Sequence, residues 1–349
     1  MTLRYLSFVL FALLLSCSEG EKAANQGDQA SSEESITLYT HRHYDTDKKI
    51  IADFEAKTGI KVNVVKANAD ELIVKMQNEG EQSPADLLIT VDAGRLVRAT
   101  DKGLLQPASS EVLTTTVPEY LRDSQGHWYA LTKRARVIVY DKEDIDPADL
   151  STYEALTEDQ WKEKVLIRSS GNIYNQSLMA SIIANDGEEA ASQWAKGMVN
   201  NMARAPKGND RDQVKAIMAG EGDLAIINTY YLGKLLNSAD SSEILAGQGV
   251  KVFFPNQADR GAHINVSGIG LARYAPNKEN AIKFMEYLVS KEVQELFAEA
   301  NYEYPVNPEA KTSALLDSWG SFKEDELSLS QLGILNRKAV IIMDEAGWQ

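Results

Sequence analysis

Apolar positions along the chain follow two rhythms, and from about residue 36 the two take turns. ITLYT (36–40) is a short β-rich run. Residues 46–58 space Ile50, Ile51 and Phe54 as one helix face does, and Gly59 supplies a stop. IKVNVVKA (60–67) reads as a second strand, so the first unit is βαβ with parallel strands. The pattern then predicts a helix over 69–80, a fully apolar strand over 85–91, and a helix over 92–103. Extended segments follow at HWYAL (127–131) and RARVIVYD (134–141).

Past residue 150 the alternation restarts. WKEKVLIRSS (161–170) supplies a strand. Helices are expected over 175–186, 188–203 and 210–222, a strand over 223–228, and a helix over 230–238. KVFFPN and HINVSGIGLARY read as strands, residues 277–300 as two helices, NYEYPV (301–306) as an extended crossing, and the tail as helical. Alternation in two runs predicts an α/β protein of two lobes with mixed sheets. RARVIVYD and VKVFFPN (250–256) look long enough to pass between them. The expected first lobe is 36–133 plus 253–302, and the second is 134–252 plus 303–349. No fixed-period repeat occurs, which disfavours solenoids and propellers.

Composition narrows the function. The chain has 349 residues, about two domains' worth at roughly 150 each. A net charge of −15 makes the chain a poor candidate for sequence-independent nucleic-acid binding, which needs clustered Lys and Arg. One cysteine excludes a disulfide framework and any Cys-rich zinc or iron–sulfur site. Four histidines disfavour a His-only metal cage. The N-terminus accounts for the cysteine. An apolar run from Tyr5 to Leu15 follows Arg4, is too short to span a bilayer, and fits a signal peptide. It ends in Leu14-Leu15-Ser16-Cys17, which resembles the bacterial lipoprotein box. That box implies cleavage before Cys17 and lipid attachment to it. Residues 18–35 lack aromatics and read as a flexible tether. The expected location is extracytoplasmic, in the periplasm or at the cell surface, with lipid as the membrane contact.

In open α/β sheets ligands bind where strands hand over to helices. Three such junctions carry unusual residues. His41, His43 and Tyr44 follow strand 36–40, Tyr174 follows the 161–170 strand, and Tyr230 and Tyr231 follow strand 223–228. Tyrosine is an odd choice there, where Ser, Asn, Asp and Gly usually cap helices. Most of the 14 tyrosines must be packing residues, and each of these groups alone is what packing produces. Joint placement is what raises the metal reading. A phenol is normally neutral, but a hard trivalent cation can displace its proton. Phenolates with one imidazole suit ferric iron and serve calcium badly.

The stretches THRHYDTD, SPADLLITVDAGRL, TKRARVIVYDK, IRSSGNIYNQSL, NTYYLGKLL and FFPNQADRGAHINVSGIG resemble the periplasmic ferric-iron-binding proteins, the solute-binding components of ferric ABC importers. The match runs in order from about residue 36 to 306. It is nearest the transferrin-like subgroup that holds iron with one His and four Tyr. The resemblance implies a two-lobed clamshell with two hinge-crossing strands. It also implies His43, Tyr44, Tyr174, Tyr230 and Tyr231 as ligands of Fe3+, an ABC permease as partner, and a monomer. Family members often carry a small residue at position 41, so the role of His41 stays open.

Other classes fit less well. No G-x-S-x-G, P-loop or H-E-x-x-H motif occurs, so an enzyme is not expected. The alternative is a solute-binding lipoprotein for an organic cation such as a polyamine or thiamine, held in an aromatic cage. The candidate junctions have no Trp, which such cages favour.

Overall fold

The computed structural model describes residues 34–42 and 44–349, and Glu34–Gln349 form one compact unit. The signal segment, Cys17 and most of the tether lie outside the described residues, as does His43.

Among the described residues, ten strands share one mixed sheet system. In chain order they are β1 (Ser35–Thr40), β2 (Lys61–Lys66), β3 (Leu87–Val91), β4 (Leu105–Gln106), β5 (Trp128–Asp141), β6 (Val165–Leu166), β7 (Leu224–Asn228), β8 (Val250–Phe253), β9 (Ile264–Ala272) and β10 (Tyr304–Pro305). The helices are α1 (Asp45–Thr58), α2 (Ala69–Glu79), α3 (Ala93–Asp101), α4 (Glu111–Thr116), α5 (Ile173–Asp186), α6 (Glu188–Asn201), α7 (Asp210–Met218), α8 (Thr229–Leu236), α9 (Ser241–Gly249), α10 (Lys278–Leu288), α11 (Lys291–Asn301), α12 (Ala314–Ser318), α13 (Ser330–Ile334) and α14 (Asn336–Glu345).

The main path runs β2-β1-β3-β9-β5-β7-β6. β1 pairs in parallel with β2 and with β3, as the opening βαβ pattern requires. β9 runs antiparallel to β3 and to β5. β5 is the pivot of the topology. Its residues 128–135 pair with β9, while 136–141 pair with β7 and β8. β3, β9 and β5 are buried almost throughout, so both faces are covered by other elements.

Three segments differ from their sequence expectation. The separate extended pieces at 127–131 and 134–141 are one strand. The polar Thr132-Lys133 interruption coincides with a register shift after Ala130, a bulge that bends β5 without ending it. VKVFFPN is a strand only to Phe253, and the chain reaches β9 through residues 254–263. Of 161–170, only Val165–Leu166 pairs, because polar residues flank this short apolar core.

The tail is helical as expected, and it is closely fitted. A Cβ at Gly333 of α13 would lie 2.4 Å from Val97 Cβ of α3, so only glycine permits this crossing. Further on, Asn336 Nδ2 donates to Gln176 Oε1 at 3.1 Å, and Trp348 Nε1 donates to the Arg168 carbonyl at 3.0 Å.

Candidate metal centre

The four tyrosines all stand at helix starts. Tyr44 is the N-cap of α1, in extended conformation, four residues past the end of β1. Tyr174 is the second residue of α5. Its backbone N–H donates to the side chain of the N-cap Asn172. Tyr230 and Tyr231 are the second and third residues of α8, which β7 feeds without a gap. Unpaired N–H groups of a first helical turn favour negative charge, so each junction suits a phenolate better than a mid-helix position would.

The structure brings these junctions together. Tyr230 Oη donates to Tyr174 Oη at 3.2 Å. The Tyr230 and Tyr231 rings lie 4.3 Å apart between centroids. Lys234, one turn along α8, places its ammonium 4.0 Å from the Tyr44 ring centroid and 5.2 Å from that of Tyr230. All four phenols line one cavity of about 400 Å³, with His41, Arg42, Val91, Asn209, Arg211 and Lys234. Among the described residues, no carboxylate lines it. Among the described residues, no group of three His, Cys, Asp or Glu side chains converges anywhere. The anionic donors available here are therefore phenols.

A buried charge network fixes the tyrosine-bearing helices. The fully buried Asp210 carboxylate, at the start of α7, binds Arg136 at 2.5 Å and Arg168 at 2.6 Å. It also accepts from the N–H of Asn228, the residue before α8, at 3.0 Å. Arg136 in turn donates to Asn175 Oδ1 on α5 at 2.6 Å. One carboxylate thus ties the start of α8 to the start of α5, which sets Tyr230 and Tyr231 against Tyr174. The guanidinium groups of Arg134, Arg136 and Arg168 stand 5.5 to 5.9 Å from the Tyr174 ring. On the other side, buried Arg42 binds Asp47 and Glu303 and stands 5.0 Å from the Tyr44 ring. A close approach also seats α8, since a Cβ at Gly233 would lie 2.5 Å from Tyr302 Cβ.

These surroundings keep Tyr44, Tyr230 and Tyr231 protonated without a metal. Burial is the largest cause holding Tyr230 well above the ordinary phenol range, followed by repulsion from Tyr174, Tyr231 and Tyr44 as anions. Burial likewise raises Tyr44, with Glu303 adding to it and Arg42 opposing. Burial raises Tyr231, with Tyr174 and Asp210 next and Arg168 opposing. Burial also lowers the Lys234 ammonium to about 8, with Glu303 opposing and Arg42 adding to the fall. Tyr44, Tyr230 and Tyr231 thus resist ionising without a counter-charge, and a high positive charge in the cavity would supply one.

Sequence reasoning located all four tyrosines but not their supports. Asp210, Arg136, Arg168 and Lys234 enter only with the structure. One signal was visible: two arginines interrupt the otherwise apolar RARVIVYD. A cation in a buried strand needs a carboxylate partner.

The bacterial extracellular solute-binding protein family model matches residues 49–324. Iron uptake protein A1 of Synechocystis sp. is 50% identical over 97% of this chain and 93% of its own length. The solved structure of the Trichodesmium protein (IdiA, FutA) in complex with iron and citrate ligands aligns with TM-score 0.88 and 49% identity. It covers 90% of this chain and 100% of that one. The ferric binding protein from Campylobacter jejuni aligns with TM-score 0.85 and 43% identity, over 90% of this chain and 100% of that one. With a family match across most of its length and a shared mixed α/β architecture, the chain belongs to the bacterial extracellular solute-binding proteins.

Proposed function

We propose that this protein captures ferric ion outside the cytoplasm, holds it through Tyr44, Tyr174, Tyr230 and Tyr231 with His43, and delivers it to an ABC importer. The observation that carries this reading is the convergence of four phenols, from three separate helix starts, on one carboxylate-free cavity. Relatives described as iron uptake and ferric iron-binding proteins support it. The chemistry is displacement. A trivalent cation expels the phenol protons, and the phenolates become hard anionic donors. Four phenolates with a neutral imidazole carry −4 against +3, and the excess negative charge lies among Arg134, Arg136, Arg168 and Lys234.

We read the fold as two lobes that share β5, with the boundaries expected above. Tyr44 follows β1, in the strand set that β5 meets through residues 128–135. Tyr230 and Tyr231 follow β7, which pairs with residues 136–141. Iron would then bridge the lobes, and closure about β5 would present the permease with a loaded shape. Cys17 would carry the lipid anchor, and the carrier would act as a monomer.

An organic cation fits this cavity less well. Arg42, Arg211 and Lys234 line it, and a singly charged amine cannot displace protons from phenols that burial already protects. Metal analysis and a visible spectrum of the purified soluble domain after ferric loading test the proposal. One iron per chain with a phenolate-to-iron charge-transfer band is expected. A colourless, iron-free product refutes it.

A further inference from the structure

We propose that Asp92 is a positioning residue for the tyrosine pocket, holding through Ser177 the helix that carries Tyr174. This rests on the ferric reading above and names a part of the machinery that does not touch the metal.

Asp92 joins β3 to α3 and is fully buried. Its φ of 81° lies in the left-handed region that side chains other than glycine's rarely adopt. A strained residue persists when its surroundings over-determine it, and here the side chain is held from several directions. The carboxylate accepts from the Gly94 N–H at 2.9 Å and from Asn265 Nδ2 at 2.9 Å. Asn265 Oδ1 in turn accepts from the Ala93 N–H, and the Asp92 N–H donates to the Val266 carbonyl. Those partners belong to α3 and β9, on the β1-β3-β9 side that also carries Tyr44.

The remaining hydrogen bond leaves that side. Ser177 Oγ donates across both carboxylate oxygens, at 3.0 and 2.9 Å. Ser177 is fully buried on α5, three residues after Tyr174 and so on the same helix face. The start of α5 is otherwise tied to β5 and α7 through Asn175, Arg136 and Asp210. The Asp92–Ser177 contact therefore sets Tyr174 relative to the strands that present Tyr44. A donor displaced by a fraction of an ångström binds a metal less well, so the contact acts on affinity without supplying a ligand.

The test is a double-mutant cycle on the soluble domain, with Ser177→Ala, Asp92→Asn and both together, beside wild type and Tyr174→Phe. Ferric affinity is measured by chelator competition, together with the molar intensity of the charge-transfer band and the melting temperature of metal-free protein. Ser177→Ala leaves Asp92 its two other donors and the Arg134 guanidinium at 4.0 Å, so the metal-free protein stays folded and its melting temperature falls only by several degrees. Ferric affinity should fall at least tenfold and the band should weaken. In the Asp92→Asn background, where one weaker acceptor oxygen remains, Ser177→Ala should cost clearly less than it does alone. Wild-type affinity and spectrum in Ser177→Ala, or losses that simply add, would overturn the proposal. If Asp92→Asn does not fold, Ser177→Ala decides alone. Wild-type binding by Tyr174→Phe would instead refute the ferric reading itself.

Discussion

Replacing Tyr230 by phenylalanine removes one oxygen and keeps the ring that packs on Tyr231. In metal-free protein the loss is one neutral hydrogen bond, to Tyr174 at 3.2 Å, worth about 1 kcal/mol. The effect on iron is of another kind. A phenol held above 10 costs at least about 4 kcal/mol to ionise at pH 7, so a donor must return more than that to be a net ligand. Tyr230→Phe should therefore lower ferric affinity at least tenfold, about 1.4 kcal/mol. The sharper signature is proton count. Each phenol protonated before binding releases one proton on binding, so the logarithm of affinity rises with pH by the number of phenols used. Four phenols give a slope near 4 below their ionisation range, and Tyr230→Phe should give about 3. Competition against a chelator of known proton uptake, between pH 7.5 and 8.5, where an ordinary imidazole is already neutral and adds no proton of its own, measures both quantities. An unchanged slope would refute the assignment of Tyr230, even if affinity fell.

Acidification should release iron, because protons compete for every ligand; full ferric occupancy at strongly acidic pH, read by the charge-transfer band, would contradict this. Asp210→Asn leaves buried Arg136 and half-buried Arg168 without their carboxylate, so it should destabilise metal-free protein by about 3–5 kcal/mol in denaturant unfolding. His263 is buried beside Arg136, Arg134 and Arg260, and burial, more than these charges, lowers it to about 3. The unfolded chain takes up its proton near 6.5 and the folded one does not, so stability falls as pH drops from about 6.5 toward 3. His263→Gln should flatten that part of the stability profile, and an identical profile would contradict it. Gly333→Ala should destabilise by about 1–3 kcal/mol, since the new methyl meets Val97, and calorimetry would detect it.

Much of this molecule is legible from local pattern. The opening βαβ unit, the strand–helix junctions and the four tyrosines follow from periodicity and from residues out of place at helix starts. The 254–263 passage is not legible, because apolar Phe253 and Phe254 look like a continuing strand while pairing decides where it stops. The charge network is hidden for another reason. Asp210 reaches Arg136 across 74 positions, and Asp92 reaches Ser177 across 85. The arginines of RARVIVYD announce that a carboxylate partner is needed, but nothing nearby in sequence says which one. Local sequence shows where donors stand, while long-range contacts decide how they face one another.

The central claim is that four phenols from three helix starts share one ferric ion. A crystal of the ferric-loaded soluble domain, with anomalous scattering recorded across the iron edge, tests it most directly. One iron peak is expected in the cavity, within bonding distance of the hydroxyl oxygens of Tyr44, Tyr174, Tyr230 and Tyr231, with His43 beside it. An iron peak elsewhere on the surface, or one that leaves Tyr230 and Tyr231 uncoordinated, would contradict it.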